Sequence, residues 1–432
     1  MKNIFKKIII PLITLEAKLV IKKYKPKIIA ITGTVGKTST KDAIFCALSD
    51  SVYTRKSTKS FNSDAGIPLT ILGLPNGWSN PITWIKNLLE GLILIIFPHN
   101  YPKYLVLEIG ASHPGYIEQN TKWLSIDTVV FTKMSKVPVH VEFFSSTEEI
   151  FQDKLSLLKV LKSDGVIIFN ADDEMLKDHF EKVNNFRKIS FGFKEDATVS
   201  FSNYQVVYNQ ENGMAEGINF KINYEGRSMP INIEGTLGSH QIYTILAGLA
   251  VSISEGINLV KASEGLKDYK TPPGRMSIIK GLKQSLIIDD TYNSSPVALS
   301  EAIHVLRDIQ VSGRKIAVIG DMMELGKHSI EQHKKAGVMI ADFVDLLIIV
   351  GMRARYIAEG ALEAGLAPEK IIQFDESRLA GKQLELILRM GDVVLVKGSQ
   401  AVRMEKTVEE IMAEPMKKGE LLARQEEAWK SR

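Results

Sequence analysis

Two hydrophobic patterns alternate along most of the chain. Short, continuous runs of β-branched and other apolar residues predict strands that are buried on both faces, and the longer stretches between them predict helices. This alternation is typical of an α/β fold, in which helices cover both faces of a mainly parallel sheet. The predicted strands include residues 27–32, 104–109, 128–132 and 165–170 in the first part of the chain, and 285–289, 315–319, 346–350, 371–374 and 393–397 in the second.

Residues 197–235 follow another pattern, in which short alternating runs are separated by Asn-Gly and Glu-Gly pairs. This pattern predicts an antiparallel insert. A helical, alanine-rich stretch follows at residues 240–257, and Thr271-Pro272-Pro273-Gly274 interrupts the chain like a linker. We therefore predict three parts, which are an N-terminal apolar helix over residues 1–25, a central domain over 26–272 and a smaller, Rossmann-like C-terminal α/β domain over 273–432.

Three apolar or charged segments do not follow this alternating pattern. The basic and then apolar start of the chain resembles an export signal only superficially, because the apolar run is short and Glu16 and Lys18 interrupt it. We favour a helix that packs on its own domain, the alternative being an amphipathic helix on a membrane surface. Residues 84–97 are too few and too interrupted to span a membrane, so we favour a buried helix over weak contact with a membrane surface. The charged tail, residues 405–432, predicts a helix with one solvated face.

The first predicted strand runs into a glycine-containing turn, Gly33-Thr34-Val35-Gly36-Lys37-Thr38-Ser39, and a helical pattern follows. Its two glycines let backbone N–H groups and the helix N-terminus face one small volume, which suits phosphates. Lys37 would neutralise the β- and γ-phosphates, and the Thr38 hydroxyl would hold Mg²⁺. The spacing departs from G-x-x-x-x-G-K-[ST], since Ile31 holds the place of the first glycine. We interpret the turn as an ATP site, a chance Gly-Lys-Thr being the alternative.

Composition and charge narrow the function classes. The formal net charge of +4, with 54 basic and 50 acidic residues, gives no reason to expect a nucleic-acid partner. The single cysteine, Cys46, excludes an internal disulfide and a cysteine-cluster metal site. Beside a nucleotide motif, this composition favours a reducing, cytoplasmic location. Oligomeric state stays open.

Three further residues are candidates for metal chemistry. Glu108 ends a predicted strand at the sheet edge where the phosphate turn opens, so it could hold Mg²⁺ opposite Thr38. The alternative is an ordinary acid at a strand end, and we favour the metal role. His140 could ligate a second metal, although a lone histidine is more often structural, and Lys154 on a helix face would ordinarily be solvated.

Taken together, several ordered motifs resemble the Mur ligase family. The most discriminating are D-D-T-Y-N-S-S-P at residues 289–296 and G-D-M-M-E-L-G at 320–326, which are similar to those of members that join D-alanyl-D-alanine to a UDP-muramoyl tripeptide. The other matching segments are residues 32–40, 62–70, 107–113, 170–173, 273–276 and 396–399. The resemblance covers about residues 26–428.

The resemblance implies an ATP- and Mg²⁺-dependent ligase of peptidoglycan precursor synthesis. In this family a carboxylate of the acceptor peptide attacks the γ-phosphate of ATP, and an amine then displaces phosphate from the acyl phosphate. Closure of two domains would assemble the site and exclude water from that intermediate. The substrates would be a UDP-muramoyl peptide and D-alanyl-D-alanine.

The resemblance also assigns residues to roles. It implies a metal site of Thr38, Glu108, His140 and Lys154, with Lys154 matching a carbamylated lysine, and it places Lys37, Glu108, His140, Lys154 and Arg275 in catalysis. The nucleotide would be held by Gly33, Thr34, Gly36, Lys37, Thr38, Ser39, Gln241, Arg275, Asp289 and Asn293, with Tyr292 beside them.

Two departures from the family pattern keep the substrate and nucleotide assignments open. The adenine segment reads Gly238-Ser239-His240-Gln241-Ile242-Tyr243-Thr244, in which Gln241 can offer an amide but Thr244 cannot replace the usual asparagine. Only residues 1–25 precede the first strand, too few for the family's UDP-binding domain, so we expect other surfaces to hold UDP or a non-UDP acceptor to be used. Two further hypotheses are a folylpolyglutamate synthase-like ligase and a non-catalytic ATP-binding scaffold.

Overall fold

In the computed structural model, the alternating pattern of the sequence folds into two β-sheets that follow each other along the chain. The structure describes residues 2–78, 80–134, 141–426 and 429. Within these residues the first sheet has nine strands and the second has six. The predicted α/β class, with a mainly parallel sheet in the first part and a smaller α/β unit after it, is confirmed.

The first sheet contains the strand that leads into the phosphate turn. Its strands are β1 (Lys27–Thr32), β2 (Thr54–Lys56), β3 (Tyr104–Glu108), β4 (Ile126–Phe131), β5 (Leu161–Asn170), β6 (Arg187–Gly192), β7 (Val199–Tyr208), β8 (Ala215–Tyr224) and β9 (Arg227–Glu234). The order is β2-β3-β1-β4-β5-β6-β7-β8-β9, parallel up to β7 and antiparallel from β7 to β9. The antiparallel segment predicted for residues 197–235 is therefore confirmed, and it extends the first sheet.

Helices cover both faces of this sheet because its central strands are apolar on both sides. Ile29 and Ile31 of β1 belong to one core, and Ile28 and Ala30 belong to the other. The helices are α1 (Lys2–Tyr24), α2 (Lys37–Ser49), α3 (Gly66–Leu72), α4 (Pro81–Ile96), α5 (Tyr116–Thr121), α6 (Thr147–Leu155), α7 (Glu174–Glu181), α8 (His240–Ser254) and α9 (Leu259–Gly265). Helices α2, α8 and α9 lie on the Ile29 side, and α1, α3, α5, α6 and α7 lie on the other.

The second sheet follows the linker. Its strands are β10 (Ser277–Lys280), β11 (Leu286–Asp290), β12 (Lys315–Gly320), β13 (Leu346–Val350), β14 (Ile371–Phe374) and β15 (Val393–Lys397), and its helices are α10 (Pro296–Asp308), α11 (Ser329–Ile340), α12 (Arg355–Glu363), α13 (Ser377–Ile387), α14 (Glu405–Ile411) and α15 (Lys418–Leu421). The order is β10-β11-β15-β12-β13-β14, with only the β10–β11 pair antiparallel in the described chain. Helices α10 to α12 cover one face, and α13 and α14 cover the other.

Two predictions about apolar and charged segments are wrong. Helix α4 is not buried, because it packs mainly on α1 and only Trp84, Asn87 and Gly91 of its described residues are buried. The charged tail is not one helix with a solvated face, since α14 ends at Ile411 and the chain then turns inward to bury Arg424. Among the described residues, no helix is long and apolar enough to cross a membrane.

Candidate active site

The turn between β1 and α2 is shaped by two glycines. Gly33 has φ +147°, and a Cβ there would lie 1.9 Å from the Thr132 Oγ1 atom. Gly36 has φ +84°, a left-handed conformation from which α2 begins. The Thr132 hydroxyl, at the end of β4, braces the turn by donating to the Val35 carbonyl at 2.7 Å. The first N–H groups of α2 thus open at the carboxyl edge of the sheet, a suitable site for an anion.

Lys37 lies at the start of α2 and contacts the turn itself. Its ammonium donates to the carbonyl oxygens of Gly33 at 2.8 Å and Thr34 at 3.2 Å. Burial lowers the pKa of Lys37, and the nearby Arg275 lowers it further, while Glu108 acts in the opposite direction. Two positive side chains and one negative side chain are therefore close enough to influence each other at this edge.

Glu108 forms the centre of a cluster of oxygen and amide groups. It ends β3 beside Ile31 of β1, which brings its side chain to the phosphate turn. Its carboxylate is 2% exposed and accepts hydrogen bonds from Thr38 Oγ1 at 3.0 Å, Ser60 Oγ at 2.6 Å and Asn62 Nδ2 at 3.2 Å. Ser60 and Asn62 were not predicted as site residues. The family motif at residues 62–70 pointed to this region of the chain, but it did not predict a hydrogen-bond partner for either side chain.

Lys154 is buried in α6, contrary to the ordinary expectation of a solvated lysine. It is 5% exposed, and burial together with the charge of Lys37 lowers its pKa to about 7, which Asp153 partly opposes. A lysine with this pKa is partly neutral at neutral pH and can act as a nucleophile. His140, the other predicted metal ligand of this region, lies outside the described residues.

A pocket of about 840 Å³ lies between the two sheets, next to the phosphate turn. This volume includes space at the mouth of the pocket that is open to solvent. We call the part of the chain up to residue 272, which contains the first sheet, the first unit, and the part after it the second unit. The lining residues of the first unit are Val35, Gly36, Ser39, Thr40, Thr132, Lys133, Asn170, Phe191, His240, Gln241, Tyr243 and Thr244. Those of the second unit are Arg275, Asp290, Asn293, Val297, Ala298, Glu301 and Lys397. Lys133 and Glu301 join the two sides at 2.9 Å.

The pocket is lined by five of the predicted nucleotide residues, which are Gly36, Ser39, Gln241, Arg275 and Asn293. Gln241 donates to the Arg275 carbonyl at 3.3 Å, and its Oε1 atom has no hydrogen-bond partner among the described residues. Thr244 donates to the Gln241 carbonyl at 2.7 Å, so its hydroxyl is engaged within α8.

Asp289 does not line the pocket, although it was predicted to bind nucleotide. It is fully buried, accepts a hydrogen bond from the Thr291 hydroxyl at 2.6 Å, and has a pKa that burial raises to about 7. Its neighbour Asp290 lines the pocket instead and pairs with Lys397. Successive side chains of a strand point to opposite faces, which explains why two adjacent aspartates differ so much.

Arg275 follows Gly274 in the linker and reaches the pocket from the second unit. Its guanidinium carbon lies 4.1 Å from the centre of the Tyr292 ring, a cation–π contact. Its buried Nε atom has no hydrogen-bond partner among the described residues. A positive group with a free donor at the pocket suits an anionic ligand.

The described residues contain no group of three or more His, Cys, Asp and Glu side chains placed to hold a metal. A cation at the phosphate turn could meet the Glu108 carboxylate and the Thr38 hydroxyl, which lie 3.0 Å apart. Such hard oxygen donors are those that Mg²⁺ prefers, and Thr38 and Glu108 fit that preference.

Comparison with known proteins assigns the family. A model of the Mur ligase middle domain matches residues 31–252, and a model of the Mur ligase, glutamate ligase domain matches residues 274–400. The chain belongs to the Mur ligase family. The first of these Mur ligase regions contains the phosphate turn, Glu108 and Lys154, and the second contains Arg275, Asp290 and Lys397.

Individual relatives agree with this assignment along most of the chain. UDP-N-acetylmuramoyl-tripeptide–D-alanyl-D-alanine ligase of Bacillus subtilis is 28% identical over 401 residues, covering 93% of this chain and 79% of the relative. The corresponding Escherichia coli enzyme is 26% identical, covering 88% and 76%. The crystal structure of the MurF ligase from Thermotoga maritima in complex with ADP superimposes with a TM-score of 0.73 at 25% identity, covering 93% of this chain and 83% of that one.

Proposed function

We propose that this Mur ligase joins D-alanyl-D-alanine to a UDP-muramoyl tripeptide at the expense of ATP, in peptidoglycan precursor synthesis. The observation that carries the proposal is the hydrogen-bonded cluster of Thr38, Glu108 and Ser60 beside Lys37, on the phosphate turn next to a pocket that Arg275 lines. Phosphoryl transfer depends on positioning and charge neutralisation, and this arrangement supplies both.

In the proposed reaction, a carboxylate oxygen of the tripeptide attacks the γ-phosphorus of ATP, and the bond to the β-phosphate oxygen breaks to give an acyl phosphate and ADP. The amine of the dipeptide then attacks the acyl carbon, loses a proton and expels phosphate. Lys37 and the N–H groups of the turn would bind the β- and γ-phosphates, and Ser39, Gln241 and Asn293 would contact the rest of the nucleotide.

We further propose that Thr38 and Glu108 hold Mg²⁺, with His140 and Lys154 as additional ligands. A bound magnesium ion would neutralise phosphate charge. Lys154 fits this role only after its neutral amine adds CO₂ and releases a proton, which converts it to a carbamate with ligand oxygens. The lowered pKa of Lys154 makes that neutral amine available near pH 7.

Residues 26–272 and 273–432 would act as two domains whose closure brings Arg275 to the phosphates. Arg275 would then contribute positive charge at the transferring group while the closed pocket keeps water from the acyl phosphate. We place this reaction in the cytoplasm.

The test is phosphate release with Mg-ATP, UDP-muramoyl tripeptide and D-alanyl-D-alanine, with each component omitted in turn. Release that needs all three, with a pentapeptide product by mass, would support the proposal. Release with a UDP-free peptide or another amine instead would keep the ligase chemistry and reject these substrates. ATP binding without acceptor-dependent ADP release would indicate a scaffold.

A further inference from the structure

Helix α1 has one buried and one exposed apolar face. Its inner face packs into the core through Ile13, Ala17 and Val20, all fully buried. Its outer face carries a second apolar stripe, Ile8, Leu12, Leu15 and Leu19, of which each side chain is 41–58% exposed. A helix of a globular protein normally places polar residues on the side away from the core, so this stripe requires an explanation.

Helix α4 carries a similar stripe. Ile82, Ile85, Leu89, Ile93 and Ile96 follow one another at spacings of three and four residues, and all are exposed, Ile82 at 75% and Ile96 at 67%. This spacing places them on one side of the helix. The buried residues of this helix are Trp84, Asn87 and Gly91, and Gly91 lies against Glu16 of α1.

The two helices are in direct contact. The Glu16 carboxyl of α1 lies against Gly91 of α4, where an added Cβ would approach its Oε2 atom to 2.1 Å. At the other end of this contact, the Lys23 ammonium donates to the carbonyl oxygens of Leu94 and Ile95 at 3.0 and 2.9 Å. The outer stripes of α1 and α4 therefore belong to one region of the molecule, which we call the α1/α4 surface.

The charged residues of these two helices are predominantly basic. Lys7, Lys18 and Lys22 are exposed on α1, whereas Glu16, the only acidic residue of that helix, is buried. The acidic residue of α4, Glu90, pairs with Lys86 at 3.5 Å. Aliphatic stripes flanked by lysines are typical of helices that lie in the interface of an anionic membrane.

We propose that the α1/α4 surface binds the anionic face of a lipid bilayer, with both helices lying in the plane of the interface. Anionic headgroups complement the lysines of α1, and the aliphatic stripes would enter the boundary of the acyl chains. A second copy of this chain fits less well, because a two-fold contact through α1 would bring its lysines together.

The test is co-sedimentation of the full chain with phosphatidylcholine vesicles that contain or lack phosphatidylglycerol. We expect binding to the anionic vesicles that weakens in high salt. The double variant Leu12→Glu with Leu15→Glu, and the double variant Leu89→Glu with Ile93→Glu, should each lower binding by at least about tenfold. Replacing Lys7 and Lys22 by Gln should lower it by about twenty-five-fold, since each lysine near an anionic surface contributes about fivefold.

The matched control is Met352→Glu with Leu386→Glu, two side chains that are each 74% exposed on the second unit. It should bind vesicles like the wild type, and thermal unfolding should verify that every variant is folded. Wild-type protein that stays in the supernatant with both kinds of vesicle would overturn the proposal. Equal binding to neutral vesicles, or a dimer that the α1 variant dissociates without any vesicle binding, would also overturn it.

Discussion

Two buried glutamates of this protein differ in how many hydrogen-bond donors surround the carboxyl group. Glu108, at the phosphate turn, accepts hydrogen bonds from Thr38, Ser60 and Asn62. Glu16, between α1 and α4, lies against Gly91, and its Oε2 atom has no hydrogen-bond partner among the described residues. Burial raises the pKa of Glu16 to about 7.

Burial alone therefore does not identify a functional carboxyl group. A carboxylate that is surrounded by donors has fixed oxygens and can meet a cation without rearrangement, as expected of a preorganised site. A buried carboxyl without such donors is stabilised by keeping its proton. We therefore expect Glu108 to take part in the reaction and Glu16 to affect only the stability of the chain. Four predictions test this difference.

The largest effect is expected at Glu108. Glu108→Gln keeps the size of the side chain but removes its negative charge, so we expect turnover to fall by about a hundredfold to a thousandfold. Acceptor-dependent phosphate release measures it. Glu16→Gln is the matched control and should leave turnover unchanged. Similar losses in both variants would remove the contrast between the two glutamates.

The segment that supports Glu108 can be displaced without touching the carboxylate. A Cβ at Gly66 would lie 2.7 Å from the backbone carbon of Phe61, which stands between the donors Ser60 and Asn62. Gly66→Ala should therefore cost about 1–3 kcal/mol in the free energy of unfolding and also lower turnover.

Urea unfolding and phosphate release measure these two quantities. Gly419→Ala is the control, because nothing lies within 4 Å of a Cβ at that position. Unchanged stability of Gly66→Ala would show that the 60–62 segment can move freely.

Removing one donor should have a smaller effect. Ser60→Ala deletes the 2.6 Å hydrogen bond to Glu108, and we expect about tenfold slower turnover, since a hydrogen bond to a charged group contributes about 1.5 kcal/mol. Ser145→Ala removes a comparable contact with Glu149, away from the phosphate turn, and should be neutral. Equal kcat values for the two variants would count against positioning by Ser60.

The smallest effect concerns pH. Because the pKa of Glu16 is about 7 in the folded chain against an ordinary 4.5, the folded state holds a proton that the unfolded state releases. The contribution of this proton to stability is complete below pH 4.5, falls as pH rises towards 7, and is lost above it. Glu16→Gln should remove this dependence and stabilise the chain by about 1 kcal/mol at pH 8, after allowance for solvent screening.

Thermal unfolding across this pH range is the measurement, with Glu90→Gln on the exposed side of α4 as control. Parallel pH profiles for wild type and Glu16→Gln would show that Glu16 ionises freely.

Much of the fold could be predicted from local pattern. The bounds of β1, β13, β14 and β15 coincide with the predicted strands at residues 27–32, 346–350, 371–374 and 393–397. Strands β1, β13 and β15 are buried on both faces, so their apolar runs begin and end where burial does. Strand β14 lies at the edge of its sheet and is only half-buried or exposed. The same reasoning wrongly predicted that α4 is buried, because an apolar sequence does not show which side of a helix another element covers.

In the candidate site, too, some residues could be predicted from local sequence and others could not. Glu108 could be predicted because a strand end next to the phosphate turn follows from parallel pairing. Ser60 and Asn62 could not, since they lie between β2 and α3 in a segment whose course depends on packing. Asp289 was assigned to the nucleotide by the family resemblance, and sequence does not reveal which of the two adjacent aspartates lines the pocket.

The sequence by itself determined the class of fold, the phosphate turn with Lys37 and Thr38, and the strand that carries Glu108. Each of these depends on residues that are neighbours along the chain, such as two glycines in one turn or an apolar run before a carboxylate. Only the tertiary structure decided that Lys154 is buried, that Asp290 faces the pocket and that α4 exposes its aliphatic side chains. Those outcomes depend on which distant elements pack together, because burial and charge environment are properties of the assembled chain.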